Sequence, residues 1–148
     1  MAVKLTTYIE KLHISEDGRQ IFDPIRKNWV RLTPEESVRQ TIILYLTEEK
    51  KYPPGRIAVE RQIKYNNLSK RYDLVIYNKA GRPEILVECK SPRGSLNQKS
   101  LDQTQLYNEV LGAKFLWISN GIVNMIFQCD YSDQSVQIID EVPLYSAS

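Results

Sequence analysis

Residues 71–92 constrain the possible fold of this chain more than any other stretch, because they hold two apolar segments joined by a short turn. Alternation with a period of two is typical of strands whose two faces have different neighbours. The first strand is predicted to carry Tyr72, Leu74 and Ile76 on one face and Asp73, Val75 and Tyr77 on the other. The second is predicted to carry Leu86, Glu88 and Lys90 opposite Ile85, Val87 and Cys89.

The turn between these strands determines which residues lie across from each other. With Ala80 and Gly81 at its centre, Asp73 falls directly opposite Glu88. Cross-strand partners have Cβ atoms roughly 4.5–5.5 Å apart, so the two carboxylates repel unless a cation lies between them or one is protonated. Lys90 follows on the face of Glu88, about 6.6 Å further along an extended strand. The sequence therefore predicts two acids and a base at one point.

This trio suits the metal-assisted hydrolysis of a phosphodiester. Mg²⁺ prefers oxygen ligands and is held by one or two carboxylates, with waters and a substrate phosphate completing its shell. A nearby ammonium orients the attacking water, stabilises the transition state or accepts a proton. An alternative stays open, since Glu88 and Lys90 also suit an exposed surface ion pair. The apolar run around Glu88 favours a site, because a charge set in an apolar strand needs a partner or a function.

A helix is predicted to begin after Thr33, which acts as N-cap, with Pro34 at the first position and Glu36 closing a capping box. The helix continues to about residue 46. Its apolar stripe consists of Val38, Ile42, Tyr45 and Leu46. At 100° per residue, Glu35 points along this stripe and Glu36 lies toward its edge. A first-turn glutamate on a core-facing stripe is unusual; the alternative is that Glu36 is only a capping residue and Glu35 only favours the helix dipole.

A third alternating strand is predicted over residues 57–65, before a turn at Asn66 and Asn67. It carries Glu60, either as a further ligand or supporting group of the site or as a residue of a solvated edge. A second helix is predicted over residues 97–111.

This second helix is closed by Gly112 and places Gln103 and Tyr107 on one face. Tyr107 also suits a core aromatic. Strands are predicted over residues 114–119, 122–129 and 136–139, with a tight turn at residues 120–121. The order helix, three strands, helix, strands predicts an α/β fold in which helices flank a mixed sheet.

Composition limits the classes of protein that remain. The chain has 148 residues, 42% of them hydrophobic and 26% charged, which is typical of one ordinary globular domain. The net charge is only +2, so any contact with nucleic acid must use a local patch. Candidates for such a patch are Arg39, Lys64, Lys70, Arg71, Arg93 and Lys99, with scattered solvated side chains as the alternative.

The rare residue types exclude several kinds of site. His13 is the single histidine, which excludes a zinc site with two or more histidines. Cys89 and Cys129 each fall in a predicted strand and are expected to be reduced core residues. No apolar run approaches the length of a membrane span, and no signal peptide is visible, so we expect a cytoplasmic protein that does not enter a membrane.

Asp73, followed by Glu88, Cys89 and Lys90 at the end of an apolar strand, resembles the PD-(D/E)XK nuclease signature. Tyr72 stands where that signature often has proline. The wider string, from residue 21 to 127 and including FDPIRKNWVRLTPEESVRQ, LVECKSP and DQTQLYN, resembles the N-terminal domain of the restriction (R) subunit of type I restriction enzymes.

The resemblance implies a restriction-endonuclease-like α-β-β-β-α-β core and a Mg²⁺-dependent nuclease, with Mn²⁺ as a substitute. Asp73 and Glu88 would hold the metal, with the Cys89 carbonyl and one glutamate of the first helix, Glu35 or Glu36; periodicity favours Glu35. Lys90 would activate or position water. Gln103 and Tyr107 resemble a Gln-x-x-x-Tyr helix that orients the catalytic lysine or contacts phosphate.

The expected function is hydrolysis of nucleic acid, most simply DNA, by an endonuclease domain without a motor. No Gly-x-x-x-x-Gly-Lys phosphate loop is present, so a motor or specificity subunit would come from another chain, and a homodimer would allow both strands to be cut. The alternative is a non-catalytic module with the same fold that binds nucleic acid or docks a partner. The expected organisation is an N-terminal extension over residues 1–20, the nuclease domain over residues 21–142 and a tail over residues 143–148.

Overall fold

Two sheets and three helices form in the computed structural model, which describes residues 3–146. Residues 1, 2, 147 and 148, at the ends of the expected extension and tail, lie outside the described residues. The helices are α1 (Thr6–Ile9), α2 (Pro34–Leu44) and α3 (Gln98–Leu111). The strands are β1 (Gln20–Asp23), β2 (Asn28–Arg31), β3 (Ile57–Tyr65), β4 (Leu68–Tyr77), β5 (Pro83–Cys89), β6 (Phe115–Ser119), β7 (Asn124–Asp130) and β8 (Ser135–Ile139).

The main sheet has the strand order β3-β4-β5-β6-β7-β8. Neighbours are antiparallel except β5 and β6, which are parallel because α3 carries the chain back between them. The predicted order of helix, three strands, helix and strand is therefore confirmed. β7 begins two residues later than predicted, because the side chain of Asn120 accepts hydrogen bonds from the N–H groups of Ile122 and Val123 and holds them in a turn.

Each face of this sheet is covered by a different helix. The α2 face buries a cluster that includes Val38, Ile42, Leu74, Val87 and Trp117. The α3 face buries a cluster that includes Tyr72, Val75, Leu86, Leu116 and Phe127. Two core layers on one sheet are the arrangement expected when apolar strands alternate between faces. No helix within residues 3–146 is both long and apolar enough to cross a membrane.

The helix boundaries follow the predicted capping residues. Thr33 accepts a hydrogen bond from the N–H of Glu36, and Pro34 opens α2. The chain then continues as a π-helical turn over Tyr45–Glu49. At the other helix, Asn97 caps the start of α3, and Gly112 ends it with a φ of +74°, a left-handed conformation that glycine adopts without strain.

The predicted faces of β4 are wrong at Tyr72, and Asp73, predicted to share a face with Val75, contacts Arg39 of α2. Tyr72 packs in the α3-side cluster with Val75, whereas Leu74 packs in the α2-side cluster. The strict alternation breaks next to Glu60 of β3, which has a φ of +54° and interrupts the ladder between the pairs Val59–Leu74 and Arg61–Tyr72. A left-handed residue turns the strand locally, so its neighbours no longer alternate regularly.

A second, two-stranded sheet precedes α2. β1 and β2 form a hairpin, with Ile21 opposite Val30 and a turn that contains Arg26. Asp23 at the end of β1 is fully buried and accepts hydrogen bonds from the N–H groups of Ile25 and Arg26. Asp23 therefore holds the turn of the hairpin in place. Arg26 of this turn contacts Glu36 in the N-terminal half of α2.

Candidate active site

The register of β4 and β5 brings Asp73 and Glu88 together. Leu74 pairs with Val87 in the predicted register, and one residue further along the strands lie the two acids. Asp73 is half-buried, and its Oδ2 accepts a hydrogen bond of 2.8 Å from the backbone N–H of Cys89. Its Oδ1 accepts a hydrogen bond of 3.1 Å from Nη2 of Arg39. Both carboxylate oxygens of Asp73 are thus held by the protein.

Glu88 is buried among charged and polar groups, with 7% of its surface exposed. Its Oε2 lies 3.9 Å from Nζ of Lys70, while its Oε1 is buried without a hydrogen-bond partner in residues 3–146. Burial, followed by the nearby Asp73 carboxylate, raises the pKa of Glu88 from 4.5 to about 7. The charges of Lys70 and Lys90 lower this pKa, but they do not offset the other two effects.

Lys90 follows β5 directly, and its backbone N–H donates a hydrogen bond of 2.8 Å to the carbonyl of Ser119 on β6. The residue is half-buried, and its charge acts on Glu88. The loop after it packs closely, since a Cβ at Gly94 would lie 3.3 Å from the Cβ of Lys90 and 3.1 Å from the carbonyl of Ser91. The base of the Lys90 side chain is therefore fixed by the sheet edge and by this loop.

The two glutamates at the start of α2 do not lie where periodicity places them. Glu35 is exposed, so the prediction that it points toward the site is wrong. Glu36 is buried, and its Oε1 accepts hydrogen bonds from Arg26 at 2.8 Å and from Arg39 at 3.1 Å. Its Oε2 accepts a hydrogen bond of 3.1 Å from Gln40. These contacts replace the side-chain half of the predicted capping box.

The physical reason is a second buried face on α2. The predicted buried stripe of α2 contains apolar residues only. The polar face of α2 is also buried, through ion pairs that join the hairpin, α2 and the sheet. Glu35 lies in the first turn of the helix, beyond these contacts. Periodicity assigns a residue to an angle around a helix, but it does not show how far the covering elements extend along the axis.

The surroundings of Arg39 differ from those expected of a residue in a basic surface patch. As a candidate for a local basic patch, or else a scattered solvated side chain, Arg39 is expected at the surface, but it is buried, with Nη1 bonded to Glu36 and Glu60 and Nη2 bonded to Asp73. The sequence held a signal, because Arg39 follows Glu36 by three residues and shares a helix face with Ile42. A cation on a buried face requires acidic partners. The other predicted patch residues are exposed or half-buried: Lys64, Lys70, Arg71, Arg93 and Lys99.

Gln103 and Tyr107 lie on α3, but only Tyr107 approaches the acid pair. Its ring lies under Lys70, whose Nζ is 4.4 Å from the ring centroid. Tyr107 therefore contacts Lys70 and not the predicted Lys90, and Lys70 connects it to Glu88. Gln103 is exposed to solvent. Lys70 therefore lies beside the acid pair, although the sequence places it only among the candidates for a basic patch.

Replacing Tyr72 with phenylalanine is expected to lower the free energy of unfolding by about 1–2 kcal/mol. The Tyr72 hydroxyl donates a 2.6 Å hydrogen bond to the carbonyl of Tyr107, and this carbonyl would lose its partner. Urea unfolding of the Tyr72→Phe variant, with Tyr77→Phe on the same strand as control, measures the difference. Equal losses in both variants would show that this bond does not join β4 to α3.

The donor set fits a divalent cation whose shell is completed by water and substrate. Within the described part of the chain, no three acidic, histidine or cysteine side chains are grouped so that they could hold a metal ion by themselves. Mg²⁺ needs only one or two carboxylates, and Oε1 of Glu88 is a buried acceptor without a donor. Burial raises the pKa of the Cys89 thiol, so that residue offers its carbonyl and not a thiolate. Both cysteines are free, as predicted.

Comparisons with known proteins agree with the fold described above. The sequence profile described as type I restriction enzyme R protein N terminus (HSDR_N) matches residues 34–143, beginning later and ending later than the resemblance noted in the sequence. Among solved structures, the chain is similar to a fragment of a putative HsdR subunit of a type I restriction enzyme from Vibrio vulnificus YJ016, with 21% identity and a TM-score of 0.53. The match covers 76% of this chain and 24% of that one. No curated protein matches the sequence significantly.

Proposed function

Since the chain belongs to the family of type I restriction enzyme R protein N termini, we propose that it is a nuclease domain that hydrolyses DNA with Mg²⁺ or Mn²⁺ as cofactor. The observation that carries this proposal is that Asp73 and Glu88, one residue beyond the Leu74–Val87 pair, lie close enough for Asp73 to raise the pKa of Glu88, while the charge of Lys90 acts on the same carboxyl. A buried acid whose pKa is raised by burial and by a neighbouring carboxylate is costly to the fold, and such groups are typical of functional sites.

Each residue of the trio has a distinct role in this proposal. Asp73 and Glu88 would hold the cation, with the carbonyl of Cys89 as a further ligand. A bound divalent cation would supply positive charge at the scissile phosphate. Lys90 would donate a hydrogen bond from Nζ to the attacking water or to a phosphate oxygen, where it stabilises the negative charge that develops in the transition state. Because Glu88 is buried, these charges act in a medium that screens them less than water does.

The remaining predicted residues would support substrate binding. Gln103 is exposed on α3 and would contact the DNA backbone, and Tyr107 would act through Lys70, which lies between its ring and Glu88. Exposed basic side chains near the site, such as Arg71 and Arg93, would neutralise backbone phosphates.

Partners are proposed on the same basis. The chain spans about a quarter of the length of the matched HsdR fragment. Residues 1–148 contain no Gly-x-x-x-x-Gly-Lys phosphate loop, so translocation along DNA would need a motor from outside these residues. A specificity subunit would supply sequence recognition. A single site cuts one strand at a time, so a double-strand break would need a homodimer or a second encounter.

A non-catalytic module that binds DNA or docks a partner is the second candidate, and the contact between Arg39 and Asp73 favours it. An arginine that already supplies positive charge to one acid reduces the need for a metal ion. The two candidates differ in one measurable property, which is whether a divalent cation changes what the chain does to DNA.

Incubating the chain with supercoiled plasmid separates these candidates. With Mg²⁺ or Mn²⁺ we expect nicked and linear products, and with EDTA we expect none. Asp73→Ala should abolish cleavage, because it removes one of the two carboxylates. If the chain retains DNA on a gel without metal, cuts nothing with metal, and behaves identically after Asp73→Ala, then the non-catalytic module is the correct function.

A further inference from the structure

The guanidinium of Arg39 joins the acid pair to a second group of acids on the α2 side. Nη2 lies 3.1 Å from Oδ1 of Asp73, and Nη1 lies 3.1 Å from Oε1 of Glu36 and 3.3 Å from Oε1 of Glu60. The side chain of Arg39 is 8% exposed, so these contacts form away from bulk solvent. Each end of the planar group therefore has its own acidic partner.

We propose that Arg39 is a positioning residue of the nuclease site, which holds the Asp73 carboxylate in the orientation that a divalent cation and the substrate require. This inference rests on the proposed function. Asp73 accepts one hydrogen bond on each oxygen, from Arg39 and from the N–H of Cys89, and this fixes its side chain. A carboxylate offers about four lone-pair sites, so half of its capacity remains for a ligand.

Arg39 is itself held by groups that do not touch Asp73. Oε1 of Glu36 also accepts a hydrogen bond of 2.8 Å from Arg26 of the hairpin turn, and Oε2 accepts one from Gln40. Arg26 in turn forms an ion pair with the fully buried Asp23. The hairpin therefore fixes Glu36, Glu36 fixes Arg39, and Arg39 fixes Asp73.

Glu60 provides the second anchor at a conformational cost. A non-glycine residue held at positive φ costs of the order of 1–3 kcal/mol and persists only where its surroundings determine it. With a φ of +54° in the middle of β3, Glu60 places its Oε1 3.3 Å from Arg39 and 3.8 Å from Arg26. Strain of this kind clusters at functional sites, which supports a role for this group of charges beyond holding the fold together.

The charges around Arg39 indicate whether this residue only neutralises acids or also positions the Asp73 carboxylate. Two guanidinium groups, those of Arg26 and Arg39, face the carboxylates of Asp23, Glu36, Glu60 and Asp73. The two arginines thus leave two of these four carboxylates unbalanced, and Glu88, a fifth carboxylate, has the charges of Lys70 and Lys90 beside it. An arginine present only to replace a metal would balance its acids, whereas this cluster still attracts a cation.

The test compares variants that keep the positive charge of a side chain and change only the geometry of its charged group. Lysine has one compact ammonium group and cannot reach Asp73, Glu36 and Glu60 at separate nitrogens, so Arg39→Lys keeps the charge and loses the arrangement. We expect Arg39→Lys to weaken Mn²⁺ binding, measured by isothermal titration calorimetry without DNA, by roughly 10–100-fold. Arg82→Lys, in the exposed β4–β5 turn, is the control and should bind Mn²⁺ as the wild type does.

Two further measurements keep the outcome clear. If Arg39→Lys does not fold, Arg26→Lys, at a more exposed position, carries the test, with an expected several-fold loss of Mn²⁺ affinity. Without metal, the melting temperatures of Arg39→Lys, Asp73→Asn and the double variant should be non-additive, because the two residues act as one unit.

The possible results assign failure to one proposal or the other. Folded Arg39→Lys that binds Mn²⁺ as tightly as the wild type overturns the role of Arg39, whatever the chain does to DNA. Wild-type chain that cuts no DNA, but whose Mn²⁺ affinity depends on Arg39, overturns the proposed nuclease function and leaves the positioning role in place. Wild-type chain that takes up no Mn²⁺ overturns both.

Discussion

Lys90→Ala is expected to reduce metal-dependent plasmid cleavage by roughly 10²–10⁴-fold, the range typical of a residue that transfers or orients a proton in the transition state. Its effect on folding should be small. Lys90 follows the last residue of β5 and is held there by its backbone N–H, which alanine retains. Lys90 is half-buried, its charge acts on Glu88, and it belongs to neither apolar cluster of the core.

Initial cleavage rates and thermal melting of the same samples measure the two effects separately. Lys4→Ala, at an exposed position near the N-terminus, is the matched control and should change neither quantity. Full cleavage by Lys90→Ala would remove the lysine from the mechanism and leave the carboxylates alone to account for it. A large fall in melting temperature would instead show that Lys90 is part of the structural framework.

Glu88→Gln is expected to abolish cleavage and to make the metal-free chain more stable above pH 7. The folded pKa of Glu88 is about 7, against 4.5 without the surroundings of the fold. Between these two values the folded chain holds a proton that the unfolded chain has released, so its stability falls as the pH rises through this window. A difference of this size corresponds to a penalty of about 3 kcal/mol at most, which is complete above pH 7 and absent below pH 4.5.

Glutamine carries no charge at any of these pH values, and its amide can donate a hydrogen bond to Asp73. Urea unfolding in EDTA at pH 4.5, 6 and 8 should therefore show a gap between variant and wild type that widens with pH. Glu10→Gln, on the exposed surface, is the control and should show no such gap. A gap that stays constant with pH would mean that the fold does not shift the pKa of Glu88, so that burial beside Asp73 adds no pH-dependent penalty.

Much of the fold and the acid pair could be predicted because local chemistry determines them. The β4–β5 turn contains Gly81 at a positive φ, and although the register shifts between Ile76 and Tyr77, the pairs from Ile76–Ile85 to Leu74–Val87 keep the predicted register next to Asp73 and Glu88. Asn97 and Gly112 mark the ends of α3 for equally local reasons. In each case the signal and the structure it determines lie within a few residues of each other.

The supporting charges could not be predicted, because they depend on contacts between distant segments. The left-handed conformation of Glu60 has no sign in an alternating sequence, yet it moves Tyr72 to the other face of the sheet. Glu36 is buried in place of the predicted Glu35 because it pairs with Arg26, which lies in a separate hairpin. Periodicity describes one element at a time, whereas these residues are placed by their partners.

The hairpin formed by β1 and β2 affects how the borders of this protein module should be drawn. Family similarity begins at residue 34, after the hairpin has ended at Arg31. A recombinant fragment cut at that border would leave the Glu36 carboxylate buried without its salt-bridge partner from the preceding turn. The set of buried ion pairs therefore begins upstream of the segment that the family profile matches, and a fragment limited to residues 34–143 would lack Arg26.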